Sequence, residues 1–217
     1  MNKKEKRERI ALVVEALKHL YPEAKCSLEY EGDAWKLLVM GRLSAQCTDE
    51  RVNIVCKELF KAIPNAQAMA EAPIEQIEQL IRPCGLYRTK AQSIKASSAR
   101  LIKDYGGVVP DEMDELLRLE GVGRKIANLL LGDLYGKSAI VADTHCIRIC
   151  GRLGMYSDTM KDPLKTEMIM SELVEPVEQS DFCHRIVLFG REYCMARSPR
   201  CGECPLRKDG LCNWSKK

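Results

Sequence analysis

The chain has 217 residues, 46% of them hydrophobic and 30% charged, which is apolar material enough for one large domain or two small ones. No apolar run is long enough to span a bilayer and the basic N-terminus carries no signal-peptide pattern, so a soluble intracellular protein is expected. Eleven cysteines, an odd count without a secretory signal, argue against a disulfide framework. Residues 1–9 carry five basic and two acidic side chains, and residues 185–217 carry eight and three. On a chain of net charge +3 the middle is therefore acidic, and basic ends point to an anionic partner.

In chain order, residues 4–20 predict a charged helix with an apolar stripe at Ile10, Val13, Val14 and Leu17, ended by Pro22. Residues 33–46 read as a mostly buried helix in which Trp35 is core. Thr48 caps the next helix, with Asp49 and Glu50 in its first turn and a stripe at Val52, Val55, Cys56, Leu59 and Phe60. Pro73 opens a helix that runs to Pro83-Cys84-Gly85. Thr89-x-x-Gln92 forms a capping-box pattern before the helix of Ala91, Ile94, Leu101 and Ile102, and Gly106-Gly107 breaks that helix. Residues 163–175 and 180–193 predict two more. No alternating strand pattern appears, so the expected class is all-α, about ten helices on short connections.

The most informative stretch spans residues 116–145. A helical pattern capped by Asp111 ends at Gly121-Val122-Gly123, and a second pattern (Ile126, Leu129, Leu130) continues until Gly136. Glycines there permit positive φ and close backbone approach. The second helix starts with unpaired N–H groups beside Arg124 and Lys125, which makes a phosphate site. Lys125 can be a phosphate contact or, where the helix dipole and Arg124 oppose a further positive charge, a nucleophilic amine. Asp143, 18 residues on, comes after the apolar run Ala139–Ala142 and precedes an amphipathic pattern at Cys146, Ile147, Ile149, Cys150 and Leu153. An aspartate there is a natural N-cap, and also a carboxylate able to stabilise a cationic sugar centre or assist proton transfer.

Seven cysteines, at 26, 47, 56, 84, 146, 150 and 183, read as small buried hydrophobes. The other four, Cys194, Cys201, Cys204 and Cys212, are spaced C-x6-C-x2-C-x7-C. Ligand chemistry leaves zinc and an iron–sulfur cluster equally open. In either case all four positions are protein ligands, so the expected role is structural. Arg197, Arg200, Arg207 and Lys208 between them form a basic loop suited to phosphate.

With these residues in view, the chain resembles the endonuclease III family of bifunctional DNA glycosylases/AP lyases, in the helix-hairpin-helix superfamily. The resemblance covers roughly residues 8–213. It rests on LSAQ-x-TD at 43–49, GLY-x-x-KA at 85–91, GVGRK-x-AN at 121–128, DTH-x-x-R at 143–148 and the terminal cysteines. It implies a six-helix barrel domain at residues 26–136 carrying the helix-hairpin-helix. It also implies a discontinuous second domain, residues 1–25 and 137–217, holding a [4Fe–4S] cluster on the four cysteines, with the site in the cleft between. Lys125 matches the Schiff-base lysine and Asp143 the catalytic aspartate. Gln46 and Leu86 match the positions that fill the gap left by the extruded nucleotide. Gly121, Val122, Gly123, Arg124 and His145 complete the expected DNA contacts. The implied partner is double-stranded DNA holding damaged bases or abasic sites, bound by a monomer in the cytoplasm, at the nucleoid if the source is bacterial.

Two departures stand out. The last cysteine interval is x7 where the family usually has x5, and two extra residues within 207–210 can loop out without moving the ligands. Cys47 stands where alanine is common. Three rival readings remain. A monofunctional adenine-mismatch enzyme would need a glutamate where this chain has Gly41, no lysine at 125 and a C-terminal extension. A catalytically idle DNA-binding module would not need Lys125 and Asp143 together. The third keeps the family and changes the substrate to pyrimidine dimers or mismatched thymine.

Overall fold

The computed structural model describes residues 1–215; Lys216 and Lys217, the last charges of the basic C-terminal segment, lie outside the described residues. Every regular element among the described residues is helical. The first seven helices are α1 (Lys3–Leu20), α2 (Ala34–Leu43), α3 (Asp49–Ala62), α4 (Ala66–Glu71), α5 (Ile74–Ile81), α6 (Tyr87–Tyr105) and α7 (Met113–Leu116). The rest are α8 (Arg124–Asp133), α9 (Thr144–Arg152), α10 (Pro163–Leu173), α11 (Gln179–Glu192) and α12 (Pro205–Lys208). Short 3₁₀ turns occupy Arg82–Cys84 and Pro176–Glu178. No helix of the described residues is long and apolar enough to cross a membrane. The chain divides into two compact units, one of Cys26–Gly136 and one of Met1–Lys25 with Lys137–Lys217.

In the unit of residues 26–136, α2 is apolar on nearly every side. Leu37, Leu38, Val39 and Met40 are all buried, which an amphipathic surface helix would not allow. It packs on α3, α6 and α8; α6 in turn covers α4 and α5, and α7 packs on α8. Trp35 is core, as its context predicts. Its ring lies 5.4 Å from that of Phe60, and its indole N–H donates to buried Ser98 Oγ at 2.9 Å. That bond satisfies the one polar atom this large side chain brings inside.

Three boundaries differ from the sequence reading. Helix α2 ends at Leu43 rather than 46, because the chain turns through Gln46 in the left-handed region (φ 55°). Helix α6 starts at Tyr87, entered from Leu86 at φ 46°, so Thr89 and Gln92 lie within its first turns and form no capping box. A capping box needs an extended N-cap backbone, and Thr89 is already helical; its carbonyl accepts from Ser93 Oγ instead. The N-cap of α7 is Glu112, not Asp111. Thr48 does cap α3, accepting from Arg51 N.

In the unit built from the two chain ends, α11 packs on α1 and α9, and α10 on both of the same helices. The predicted stripe of α1, Ile10, Val13, Val14 and Leu17, is buried against them. A capping box between Asn2 and Glu5 starts that helix. Phe182, Ile186 and Phe189 of α11 are fully buried, and Arg185 on the same helix is held by Asp181 at 2.9 Å and Glu178 at 3.6 Å. Helix α10 stops two residues earlier than expected, at Leu173.

Candidate functional site

The hairpin joins α7 to α8 through residues 117–123. Val122 tucks inward and is buried, its N–H donating to Leu119 O at 3.1 Å. Gly121 has φ 79°, and a Cβ there would stand 2.7 Å from Arg42 Nε and from Ser93 Cβ, so this position is closed to any side chain. Gly123, the N-cap of α8, differs: a Cβ there would meet nothing within 4 Å. Internal packing does not demand glycine at 123, and the space beside it is open to close approach by an outside group. The carbonyl of Gly123 receives Ile126 N and Ala127 N, both at 3.0 Å, so the helix begins its ladder at once and its first N–H groups face outward. Arg124 and Lys125 are exposed beside them.

Glu120 would oppose a phosphate at this turn, but Arg100 neutralises it. The guanidinium donates from Nε to both carboxylate oxygens at 3.1 Å and from Nη2 at 2.5 Å. That bidentate contact holds the Glu120 carboxyl below the usual range. In the same unit, Gly41 faces Ile126 and Leu129 of α8, with Ile126 Cγ2 3.3 Å from where a Cβ would stand. The glutamate that the adenine-mismatch reading requires there would need Ile126 to shift by a few tenths of an ångström.

Gln46 and Leu86 share an uncommon backbone state. The only non-glycine residues with positive φ among those described are Glu31, Gln46 and Leu86. Both Gln46 and Leu86 are exposed, Leu86 by 59%. A strained backbone presenting a leucine to solvent gains nothing from burial, and such positions concentrate where a partner is gripped.

In the other unit, Asp143 is the N-cap of α9. One carboxylate oxygen accepts from Cys146 N at 2.8 Å, and the side chain is half-buried. His145, two residues on, has its Nδ1 3.1 Å from Arg148 Nη2. The ring lies so close to α11 that a Cβ at Gly190 would stand 2.3 Å from Nδ1.

Cys194, Cys201, Cys204 and Cys212 line one cavity together with Ile149, Phe189, Leu206 and Trp214. None of the eleven cysteines is paired in a disulfide. No three potential ligands among the described residues stand close enough to hold a single metal ion. Four cysteine thiols on one cavity are the donor set that an iron–sulfur cluster takes. Arg152 organises the loop. Its Nη1 lies 3.3 Å from Cys194 Sγ and 2.8 Å from Met195 O, Nη2 reaches Ala196 O at 3.0 Å, and its guanidinium lies 4.1 Å over the Trp214 ring. Arg148 Nε holds Cys194 O at 3.0 Å. Burial pushes the Cys194 thiol up while Arg152 pulls it down, and a cationic centre in the cavity would add to that pull. The long last interval is ordered. It forms α12, after which Gly210 (φ 71°) turns the chain so that Leu211 N and Cys212 N both donate to Leu206 O.

A model of the HhH-GPD superfamily of base excision DNA repair proteins matches residues 39–176. One for the iron–sulfur binding domain of endonuclease III matches residues 194–209, stopping short of Cys212 beyond the lengthened interval. Endonuclease III of Synechocystis sp. is 42% identical over 93% of this chain and 91% of its own length; that of Bacillus subtilis is 40% identical over 92% and 90%. The chain belongs to the endonuclease III family. The solved structure of a trapped endonuclease III–DNA covalent intermediate, an estranged-adenine complex, matches with a TM-score of 0.89 at 38% identity, over 98% of this chain and 96% of that one. As a member of the endonuclease III family the protein is a bifunctional DNA glycosylase/AP lyase of base-excision repair, its partner is DNA and its cofactor is a [4Fe–4S] cluster.

Arg152 escaped the sequence reading as an organising residue of the cysteine loop.

Proposed function

We propose that the protein excises oxidised pyrimidines from duplex DNA and cuts the abasic strand through a Schiff base on Lys125, acting as a monomer. The observation that carries this reading is the hairpin: an open N-cap at Gly123, a neutralised Glu120 and an exposed amine one residue into α8. Backbone N–H groups at the start of α8 and the Arg124 guanidinium hold a phosphate, which sets Lys125 against the sugar of the extruded nucleotide. His145 contributes a further DNA contact. Gln46 and Leu86 fill the space the nucleotide leaves.

The Lys125 amine then attacks C1′, the N-glycosidic bond breaks and the base departs with its electron pair. Ring opening gives an imine between Nζ and C1′. Loss of a proton from C2′ expels the 3′ phosphate, and hydrolysis of the imine returns the lysine. The Asp143 carboxylate assists by stabilising positive charge at the sugar and by proton transfer. The cysteines at 194, 201, 204 and 212 hold the cluster, which keeps the basic loop of Arg197, Arg200 and Arg207 in place for the DNA backbone.

Borohydride trapping on duplexes carrying thymine glycol, 5-hydroxycytosine, uracil, a pyrimidine dimer, an abasic site or no damage tests the reading. The expected result is a covalent adduct formed fastest with thymine glycol or 5-hydroxycytosine among the damaged bases. An adduct confined to the dimer would move the substrate, and duplex binding without any adduct would demote Lys125 to a phosphate contact. Protein purified anaerobically is expected to be yellow-brown and to contain about four iron and four acid-labile sulfide per chain. Stoichiometric zinc with no sulfide would overturn the cluster assignment.

A further inference from the structure

Lys90 lies in the first turn of α6 and is 1% exposed, among the largest fully buried side chains in the molecule. An ammonium so placed must find acceptors. Its Nζ donates to Leu43 O at 2.8 Å and to Cys84 O at 2.9 Å. Each carbonyl ends a helical segment, since Leu43 closes α2 and Cys84 closes the 3₁₀ turn. The last carbonyls of a helix lack intrahelical donors and carry the negative end of its dipole, so a cation there is the fitting cap. Burial lowers the Lys90 ammonium from its usual range, and the nearby Arg42 charge acts in the same direction.

The residues just beyond each carbonyl give this contact more than a packing role. Gln46 comes three residues after Leu43, and Leu86 two after Cys84. Both adopt left-handed backbone without being glycine, a state that persists only where the surroundings over-determine it. One buried ammonium is thus bonded to the root of both turns.

We infer that Lys90 is the positioning residue for nucleotide extrusion: its ammonium clamps the Leu43 and Cys84 carbonyls and so sets the distance between the Gln46 and Leu86 turns. The inference rests on Gln46 and Leu86 filling the gap in the duplex, as in the proposed function. No chemistry at the sugar is assigned to Lys90.

The test uses full-length protein with its cluster, shown folded by circular dichroism and visible absorbance. The probe is a duplex with an uncleavable tetrahydrofuran site opposite 2-aminopurine, whose fluorescence rises when that base is unstacked. Lys90→Met keeps the length and removes the donors. It is expected to lose at least half of the fluorescence rise, to change duplex Kd less than threefold, and to lower kcat on a thymine glycol duplex about tenfold with little change in KM. In a Gln46→Ala/Leu86→Ala background the same substitution is expected to cost less than threefold more, because the side chains it positions are gone.

A folded Lys90→Met protein with wild-type fluorescence and kcat would overturn the inference, as would a further tenfold loss in the doubly substituted background. If Gln46→Ala/Leu86→Ala alone keeps full fluorescence and kcat, the gap-filling reading fails first and the inference falls with it. Should Lys90→Met not fold, Lys90→Gln, whose shorter side chain cannot reach both carbonyls, is read by the same criteria.

Discussion

Lys125→Gln is expected to abolish strand nicking and borohydride trapping, leaving less than about a thousandth of the wild-type rate. Glutamine keeps a polar side chain of similar reach and cannot form an imine. The fold has little stake in the change, because Lys125 is exposed and one residue inside the N-terminus of α8, where a neutral residue replaces a cation that the helix dipole does not favour. Melting temperature should therefore hold or rise slightly, and binding to undamaged duplex should weaken only by the loss of one charge. Nicking assays on a pre-formed abasic duplex isolate the lyase step. Full lyase activity in this variant would remove Lys125 from the reaction.

The second large effect is expected at Asp143. In the structure it caps α9 through Cys146 N, so Asp143→Ala would confound catalysis with the loss of a cap worth about 1 kcal/mol. Asp143→Asn separates the two. Asparagine caps a helix about as well as aspartate, so thermal stability should stay within about 0.5 kcal/mol of wild type. The carboxylate charge is gone, and glycosylase turnover is expected to fall by about 10²–10⁴. Paired measurements of melting and single-turnover base release check both halves. A stable variant with wild-type kinetics would reduce Asp143 to a cap.

The two roles of Asp143 show where a sequence stops being informative. An N-cap and a sugar-facing carboxylate demand the same residue at the same helix start, and the capping bond in the structure leaves one carboxylate oxygen uncommitted to it. Periodicity, by contrast, was decisive for elements. The stripes of α1, α3 and α9 are buried largely as read, because a 3.6-residue repeat of apolar side chains has one way to leave water. Helix ends were less legible where capping chemistry was assumed to be local. Thr89-x-x-Gln92 has the letters of a capping box, yet α6 begins two residues before Thr89 because the turn through Gly85 and Leu86 enters it first.

By itself, then, the sequence determined an all-helical chain, a glycine turn ahead of a basic helix start, four clustered thiols and the order of motifs that marks the family. Those are properties of residue type and spacing, which survive without coordinates. Only the tertiary structure decided that Glu120 is neutralised by Arg100, that Gly121 is glycine for packing while Gly123 is open to an approaching group, and that Gln46 and Leu86 stand in left-handed backbone. It also decided that Lys90, one of 34 basic residues, is the one bonded to the roots of both turns. The physical reason is common to all of these. Burial, charge pairing and backbone strain depend on which distant segments meet, and residues 43, 84 and 90 acquire a shared role only once α2, the 3₁₀ turn and α6 are packed together.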